Sequence, residues 1–234
     1  MTNFVDSNEI VARVLAAHRR ISEPIRMRYH GYTFVVYPGV FSPFLAPSGY
    51  LSLSLAAWPI FGGQRVLDVG CGAGVFTCLV ALSGALKVVG IDITLDAVEN
   101  ARRNVAGLRL NDAVEIRQGD LFGPVEEGEA FDIIFADLPF SDREPEDDLE
   151  RAFFDRNLAS VRKFIRGLPN MLRRSSKGVR AYLCLSNLEP LRPPMEDTRG
   201  ELDCRLRMKV SAPRIVLLLY ELRLRQRLPE GEER

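Results

Sequence analysis

The sequence feature that most constrains the fold is the stretch RVLDVGCGAGVFT at residues 65–77. A short apolar run rich in β-branched residues leads into three glycines at alternate positions, and a helix-compatible run, residues 75–83, follows. This order predicts a buried strand, a tight turn and the beginning of a helix. Glycine has no Cβ, so a ligand can come close to the backbone, where free N–H groups favour an anionic or hydrogen-bond-accepting group.

The spacing of the glycines separates two classes of binding turn. A dinucleotide site requires G-x-G-x-x-G, but its third glycine would fall at Val75 or Thr77, depending on which glycine is counted first. The spacing is D-x-G-x-G-x-G instead, which resembles motif I of class I S-adenosylmethionine (SAM) dependent methyltransferases. In that family the glycine turn lies under the amino acid part of SAM, and the acid helps to hold its ammonium group. The residues that the resemblance assigns to this role are Asp68, Gly70, Cys71, Gly72 and Gly74. A plain strand–helix turn is the alternative.

Two later apolar runs also end in acidic residues. Residues 87–93 predict a strand that ends at Asp92 and Ile93, and Asp92 resembles the motif II acid that accepts hydrogen bonds from both ribose hydroxyls. A carboxylate suits this role because it has two acceptor oxygens and no donor. Residues 114–122 deliver Asp120 and Leu121, whose family counterparts bond the adenine amino group and pack on the ring. A helix N-cap is the alternative role for Asp92, but it suits Thr94 or Asp96 better.

A fourth predicted strand, residues 131–137, ends in the tetrapeptide Asp137-Leu138-Pro139-Phe140. In an open α/β sheet, ligands bind at the carboxyl ends of the strands. The tetrapeptide resembles the [N/D]-P-P-[Y/F] motif of methyltransferases that act on planar nitrogens, with leucine in place of the first proline. The resemblance implies that Asp137 and the Leu138 carbonyl accept hydrogen bonds from the substrate, that Pro139 keeps the carbonyl oriented, and that Phe140 stacks on the planar group. A turn that merely shapes the pocket is the alternative.

The segments before the glycine turn predict an extension over the site. Residues 8–20 form an amphipathic pattern, with His18 expected at the surface, and residues 27–36 predict a strand or hairpin. The turn-rich segment that contains Val40, Phe41 and Pro43, and the helix predicted over residues 48–58, resemble the region before motif I in the "small domain" methyltransferases. That group is related to ribosomal-RNA guanine and release-factor glutamine methylases, in which this region covers the cofactor and contributes to the substrate pocket. A loop that fills the sheet edge is the alternative.

Charge is distributed unevenly along the chain. Residues 1–150 hold 12 basic and 21 acidic side chains, whereas residues 151–234 hold 19 and 10, for a net charge of zero. The acidic run 141–150 predicts a solvated loop near the pocket mouth, and residues 149–172 predict one long helix. The last predicted hairpin, residues 204–210 and 214–224, alternates basic and apolar side chains, so each basic set shares one face. That face is either a surface for phosphate or a partner, or simply the solvated side of an edge hairpin.

Together these features predict a Rossmann-like α/β fold with a seven-stranded mixed sheet and helices on both faces. The predicted division is an N-terminal helix and hairpin extension, 1–46, a SAM-dependent methyltransferase domain, 47–228, and a disordered tail, 229–234. No metal site, signal sequence or membrane span is expected, because the cysteines form no C-x-x-C pair and no uninterrupted run of about 20 apolar residues occurs. A cytoplasmic protein is therefore expected, and a homodimer is left open.

The predicted activity is direct displacement of a methyl group from SAM to a nitrogen of a small-molecule acceptor. The small molecule is preferred because the chain has no net basic charge and no RNA-binding module. An N-methyltransferase acting on RNA or on a protein glutamine is the alternative. A non-catalytic binding subunit with the same fold is a second alternative, motivated by the altered tetrapeptide.

Overall fold

The glycine turn follows the third strand of the computed structural model, which describes residues 7–46, 49–56, 58–175, 178–186, 200–212 and 215–225. The helices are α1 (Ser7–Arg19), α2 (Gly49–Ala56), α3 (Val75–Leu82), α4 (Leu95–Gly107) and α5 (Ala159–Arg173). The strands are β1 (Ile25–Tyr29), β2 (Tyr32–Val36), β3 (Arg65–Val69), β4 (Lys87–Asp92), β5 (Val114–Gln118), β6 (Ile133–Asp137), β7 (Arg180–Ser186), β8 (Leu202–Ala212) and β9 (Ile215–Leu224).

Seven of these strands form one mixed sheet in the order β5-β4-β3-β6-β7-β9-β8. Strands β3 to β7 are parallel, whereas β9 runs antiparallel to both β7 and β8. The carboxyl ends of the parallel strands therefore meet at one edge, where the glycine turn, Asp92 and Asp137 all emerge. Strands β1 and β2 form a separate antiparallel hairpin. The predicted fold, a seven-stranded mixed sheet with helices on both faces, is confirmed.

Side-chain alternation along the central strands builds a core on each face of the sheet. Val66 and Phe135 belong to the core that contains α2, α3, α4 and the β1–β2 hairpin. Their neighbours Leu67 and Ile134 belong to the opposite core, which contains α5. Because both faces are covered, these strands are apolar almost throughout, as parallel strands typically are.

The long helix predicted over residues 149–172 is wrong up to Leu158. Two short 3₁₀ turns, Glu150–Ala152 and Arg156–Leu158, precede α5, and Asn157 and Leu158 have left-handed φ values of 57° and 51°. The Asp155 carboxylate accepts a hydrogen bond from the Ser160 backbone N–H at 2.8 Å, which caps the new helix. The apolar residues before this break are spaced as in a helix, but they pack into a different cluster.

Several predictions fall outside the described residues. The tail 229–234, the first six residues of the 1–46 extension and part of the β8–β9 turn are among them. Among the described helices, none has the length and apolar character needed to cross a membrane.

Candidate active site

The glycine turn is held against the end of β4 by its backbone. The N–H groups of Gly70 and Cys71 both donate to the Ile91 carbonyl, at 2.8 and 3.0 Å. Gly70 has a φ of 79°, and a Cβ there would lie 3.2 Å from the Leu138 side chain and 3.3 Å from the Asp137 carbonyl. The absence of a side chain therefore lets the turn and the tetrapeptide approach one another.

The other two glycines of the turn have different surroundings. A Cβ at Gly72 would meet nothing within 4 Å, so this part of the turn faces open space. A Cβ at Gly74 would lie 2.8 Å from the Ala101 Cβ, so this glycine lets α3 pack closely on α4. Gly74 thus has a packing role in the structure, whereas Gly72 leaves room for a ligand.

Asp92 ties the turn to the beginning of α4. Its Oδ2 accepts a hydrogen bond from the Gly72 N–H at 2.8 Å, and its Oδ1 accepts from the Thr94 N–H at 3.0 Å and the Thr94 hydroxyl at 3.1 Å. A carboxylate offers about four acceptor positions. Acceptor capacity therefore remains for a further donor, and more becomes available if the Thr94 hydroxyl rotates away.

Two carboxyl groups, of the buried Asp68 and the partly exposed Asp137, face the same space. Asp68 is only 2% exposed and accepts a hydrogen bond from the Thr77 hydroxyl. Burial, together with the nearby Asp137 and Asp92 charges, raises the pKa of Asp68 to about 7, although the Thr77 hydrogen bond lowers it in part. Burial also raises the pKa of Asp137 to about 7, although a hydrogen bond from Ser52 lowers it in part. Such carboxyl groups have a strong electrostatic preference for a cationic ligand.

The loop after β5 also lines the space beside the glycine turn. Gly119 donates its N–H to the Asp92 carbonyl at 2.9 Å, which places Asp120 and Leu121 beside the end of β4. The Asp120 carboxylate forms an ion pair with Lys163 of α5, and about half of the side chain is exposed. Ile93 is 51% exposed at the adjacent position.

Helix α1, the loop that carries Phe41 and the residues around Phe153 pack together as a cover beside the cavity. Val11 and Leu15 of α1 pack with Leu149, Phe153 and Phe154, and this set, here called the cover cluster, shares no residue with the two sheet cores. Two ion pairs of Arg19 in α1 reinforce the contact, to Asp147 and Glu150 at 2.8 Å each. The predicted free acidic loop is therefore tied to α1 at its end, and Glu150 is buried.

His18 is buried rather than at the surface, so that prediction is wrong. Its ring nitrogens are bonded to backbone on two sides: Nδ1 lies 2.7 Å from the Val14 carbonyl, and Nε2 accepts from the Ser42 N–H at 2.9 Å. This pattern requires the neutral Nδ1–H form, and burial lowers the His18 pKa accordingly. The ring stacks on Phe41 with centroids 5.2 Å apart, which fixes the loop that carries Phe41.

These walls enclose a cavity of about 390 Å³ at the carboxyl edge of the sheet. Every residue predicted for the site lines it except Gly74, including Val40, Phe41, Pro43 and the tetrapeptide. Ser52 and the lining residues from α1 and the segment 144–160 were not predicted from the sequence. The apolar stripe of α1 was visible in the sequence, but no local signal indicated where it packs.

A family model described as "Methyltransferase domain" matches residues 60–198, which is more than half of the chain. The chain belongs to the methyltransferase domain family. The matched region begins before the glycine turn and contains all of the strands from β3 to β7. The resemblance to methyltransferases is thereby confirmed at the level of the family.

Curated relatives of this methyltransferase domain match over a limited region. A release factor glutamine methyltransferase from Rhodopirellula baltica is 36% identical over 85 residues, which cover 36% of this chain and 29% of that protein. A ribosomal protein L11 methyltransferase from Thermosipho africanus is 43% identical over 76 residues, which cover 32% of this chain and 28% of that protein. The chain thus matches less than a third of the length of these two relatives.

Solved structures match over most of the chain. The T. thermophilus 16S rRNA N2 G1207 methyltransferase, in complex with AdoMet and guanosine, has a TM-score of 0.60 at 24% identity and covers 87% of this chain and 50% of that one. The M. jannaschii tRNA m1G37 methyltransferase has a TM-score of 0.58 at 15% identity, with 87% and 56% covered. At these identities the similarity establishes the fold.

Proposed function

We propose that this methyltransferase domain transfers a methyl group from SAM directly to a planar nitrogen. The observation that carries the proposal is that one cavity is lined by the glycine turn, by Asp92 and by all four residues of Asp137-Leu138-Pro139-Phe140. The structural relative that was solved with AdoMet and guanosine supports the choice of cofactor. The family membership supports the reaction class.

The walls of the cavity suit SAM. Asp68 and Asp137 are carboxyl groups whose pKa values are raised to about 7 by burial, and a cation would stabilise their ionised forms. We assign Asp68 with Gly70, Cys71 and Gly72 to the amino acid end of SAM, Asp92 to the ribose, and Ile93, Asp120 and Leu121 to the adenine. When bound, SAM supplies a methyl group on a positively charged sulfur, an electrophile that needs no metal and no covalent enzyme intermediate.

The tetrapeptide is assigned to the acceptor nitrogen. The lone pair of a planar nitrogen is delocalised, so the group must be oriented and its developing positive charge stabilised. The Asp137 carboxylate and the Leu138 carbonyl are the acceptors for its N–H groups, and Phe140 is the stacking surface. Leu138 packs against Gly70, which keeps this corner close to the turn. Val40, Phe41 and Pro43 also line the cavity, and we assign segment 1–46 to covering the site.

The acceptor that the comparisons favour is a macromolecule. The small molecule expected from the sequence has no support among the relatives, whose names refer to proteins or RNA. The cavity is lined by seven acidic side chains and two arginines, which oppose the approach of phosphate groups. We therefore propose a nitrogen of a protein side chain, such as the glutamine amide, as the acceptor, with RNA as the competing choice.

Calorimetry with S-adenosylhomocysteine tests the cofactor assignment. We expect the wild type to bind and Asp92→Ala to lose at least about tenfold in affinity, since a hydrogen bond to a charged group contributes about 1.5–3 kcal/mol. The exposed Asp112→Ala is the matched control and should bind like the wild type. If the wild type does not bind, the proposed activity fails.

Transfer of a labelled methyl group to a cell extract tests the acceptor. Label in material that resists ribonuclease but not protease supports a protein acceptor, whereas the opposite pattern moves the acceptor to RNA. S-adenosylhomocysteine binding without transfer to any fraction would favour a non-catalytic subunit. On an identified acceptor, Asp137→Ala should lower kcat by about 10²–10³, as expected for loss of a group that stabilises charge in the transition state, and Asp137→Asn, which keeps an acceptor oxygen, should lower it less.

A further inference from the structure

One face of the β8–β9 hairpin carries a row of arginines far from the cavity. Arg223 and Arg225 share this face with Glu221, because side chains two residues apart on a strand point the same way. On β8, a bulge between Leu206 and Met208 leaves Arg207 as an extra residue in the ladder, and its side chain reaches Glu221. We call Arg207, Arg223 and Arg225 the arginine stripe.

Each arginine of the stripe is held through its Nε atom. Arg223 Nε donates to Glu221 Oε1, and Arg207 Nε lies 3.1 Å from Glu221 Oε2 in an ion pair without hydrogen-bond alignment. Arg225 Nε donates to Asp203 Oδ1 at 3.1 Å. The Glu221 side chain is only 3% exposed, so two of the three guanidinium groups are fixed to a buried carboxylate.

This manner of anchoring leaves the outer edge of each guanidinium available. A guanidinium has five N–H donors, one on Nε and four on the terminal nitrogens. With Nε paired to a carboxylate, the terminal N–H groups remain for a ligand on side chains that are 48%, 55% and 56% exposed. A planar pair of N–H donors matches the oxygen spacing of a phosphate, and prior anchoring lowers the entropy cost of binding.

The position of the stripe separates it from the reaction. Leu222 pairs with Ala181 near the beginning of β7, whereas Asp137 pairs with Cys184 near its end. Arg223 and Arg225 therefore lie at the amino end of the parallel strands, and the cavity lies at the carboxyl end. β8 is also the edge strand of the sheet, and the three arginine side chains are each about half exposed.

We propose that the arginine stripe binds the phosphodiester backbone of a nucleic acid. The described residues 200–212 and 215–225 hold five basic side chains, including Arg205 opposite Glu221, against three acidic ones. Two arginines of β9 and its end and one of β8 can contact successive phosphates of one backbone, and such contacts position a nucleic acid without reading its bases. The proposal does not depend on the identity of the methyl acceptor, because it concerns a surface distant from the cavity.

Fluorescence polarisation with a 5′-labelled uridine 20-mer tests the proposal on the full chain. Each single-strand phosphate contact contributes about 0.7 to the slope of log K against log salt, so Arg223→Gln/Arg225→Gln should lower the slope by about 1.4 and the affinity at 0.1 M salt by about 25-fold. The matched control Arg26→Gln/Arg28→Gln removes the same charge from exposed positions on β1 and should leave both quantities near the wild-type values. Equal losses in the two double variants would overturn the proposal.

Two further variants test the anchoring and guard against unfolding. Arg223→Lys/Arg225→Lys keeps the charge but not the planar fork, so it should keep the salt slope and lose about fivefold in affinity. Arg225→Gln leaves Glu221 fully paired and should lose about fivefold with a slope change of about 0.7. Wild-type affinity in the lysine variant would refute the need for planar guanidinium groups. Wild-type affinity in Arg225→Gln would show that Arg225 does not contribute to binding.

Competitors distinguish a backbone site from a general anion site. A thymidine 20-mer should compete nearly as well as the uridine 20-mer, because both present the same backbone. Inorganic phosphate and a glutamate 20-mer at equal charge concentration should compete poorly. Competition by the glutamate peptide equal to that of the uridine 20-mer would refute the assignment to nucleic acid. None of these measurements uses methyl transfer, so they succeed or fail independently of the proposed activity.

Discussion

Replacing Asp68 by asparagine should stabilise the protein and weaken its cofactor binding at the same time. Asp68 lies at the end of β3, is 2% exposed, and has a single described hydrogen-bond donor, Thr77. Asparagine has nearly the same shape, and its amide oxygen can accept the same hydrogen bond. The substitution therefore removes the cost of a buried charge without creating a cavity.

The size of the effect follows from the shifted pKa of Asp68. The rise from an ordinary value of 3.8 to about 7 corresponds to about 4 kcal/mol, at about 1.4 kcal/mol for each tenfold change in the acid constant. Below pH 4 both folded and unfolded chains are protonated at this position and the cost is absent. Between pH 4 and 7 the unfolded chain loses its proton first, so the wild type loses stability progressively, and above pH 7 the full cost applies.

Thermal melting of the wild type and Asp68→Asn from pH 4.5 to 8 measures this difference. Since about 2–4 °C in Tm corresponds to 1 kcal/mol in a chain of this size, a gain of about 8 °C or more is expected at pH 8, shrinking to about a quarter of that at pH 4.5. The exposed Asp112→Asn serves as the control and should show no such trend.

Calorimetry on the same variant separates stability from binding. Loss of a charged partner for the ammonium group should weaken S-adenosylhomocysteine by about tenfold or more. A melting difference that does not depend on pH, or a less stable variant at pH 8, would refute the burial argument. Unchanged binding would instead refute the role assigned to Asp68 in holding the cofactor.

Four other substitutions, in two matched pairs, test the turn and the cover. Gly74→Ala should destabilise the fold by about 2–3 kcal/mol, because its Cβ would overlap the neighbouring helix at a left-handed φ, whereas Gly72→Ala should cost about 1 kcal/mol and mainly weaken S-adenosylhomocysteine binding; equal melting temperatures would contradict this. Arg19→Gln should destabilise the fold more than Arg13→Gln, because Glu150 is buried and loses one of its arginine partners, whereas Arg13→Gln breaks an exposed pair. If Arg19→Gln and Arg13→Gln lose equal stability in denaturant unfolding, the Arg19–Glu150 ion pair does not hold the cover in place.

Sequence patterns predicted the sheet and its loops because the relevant signals are local. Apolar runs bounded by glycines and acids identify β3, β4 and β6, and parallel strands bring their carboxyl ends to one edge regardless of the rest of the chain. The positions of Gly70, Asp92 and Asp137 at that edge therefore followed from strand order alone. Their roles toward SAM and the acceptor stay predictions until binding is measured.

What the sequence could not predict depends on contacts between distant segments. His18 is hydrophilic in isolation, but its burial depends on the Ser42 N–H, 24 residues away. The pattern of residues 149–158 satisfies a helix, yet Phe153 packs with α1, and the left-handed Asn157 redirects the chain. Periodicity reports which side of a segment is apolar, and only the fold determines what that side meets.

The separateness of the cover cluster has a consequence for how molecules enter and leave. Its five buried side chains lie outside both sheet cores, so α1 and the loop around Phe153 form a unit that can detach while the sheet remains intact. Amide hydrogens of α1 should then exchange through this partial opening, far faster than those of β3. Turnover in such an architecture is limited by the rate of that opening whenever methyl transfer itself is faster.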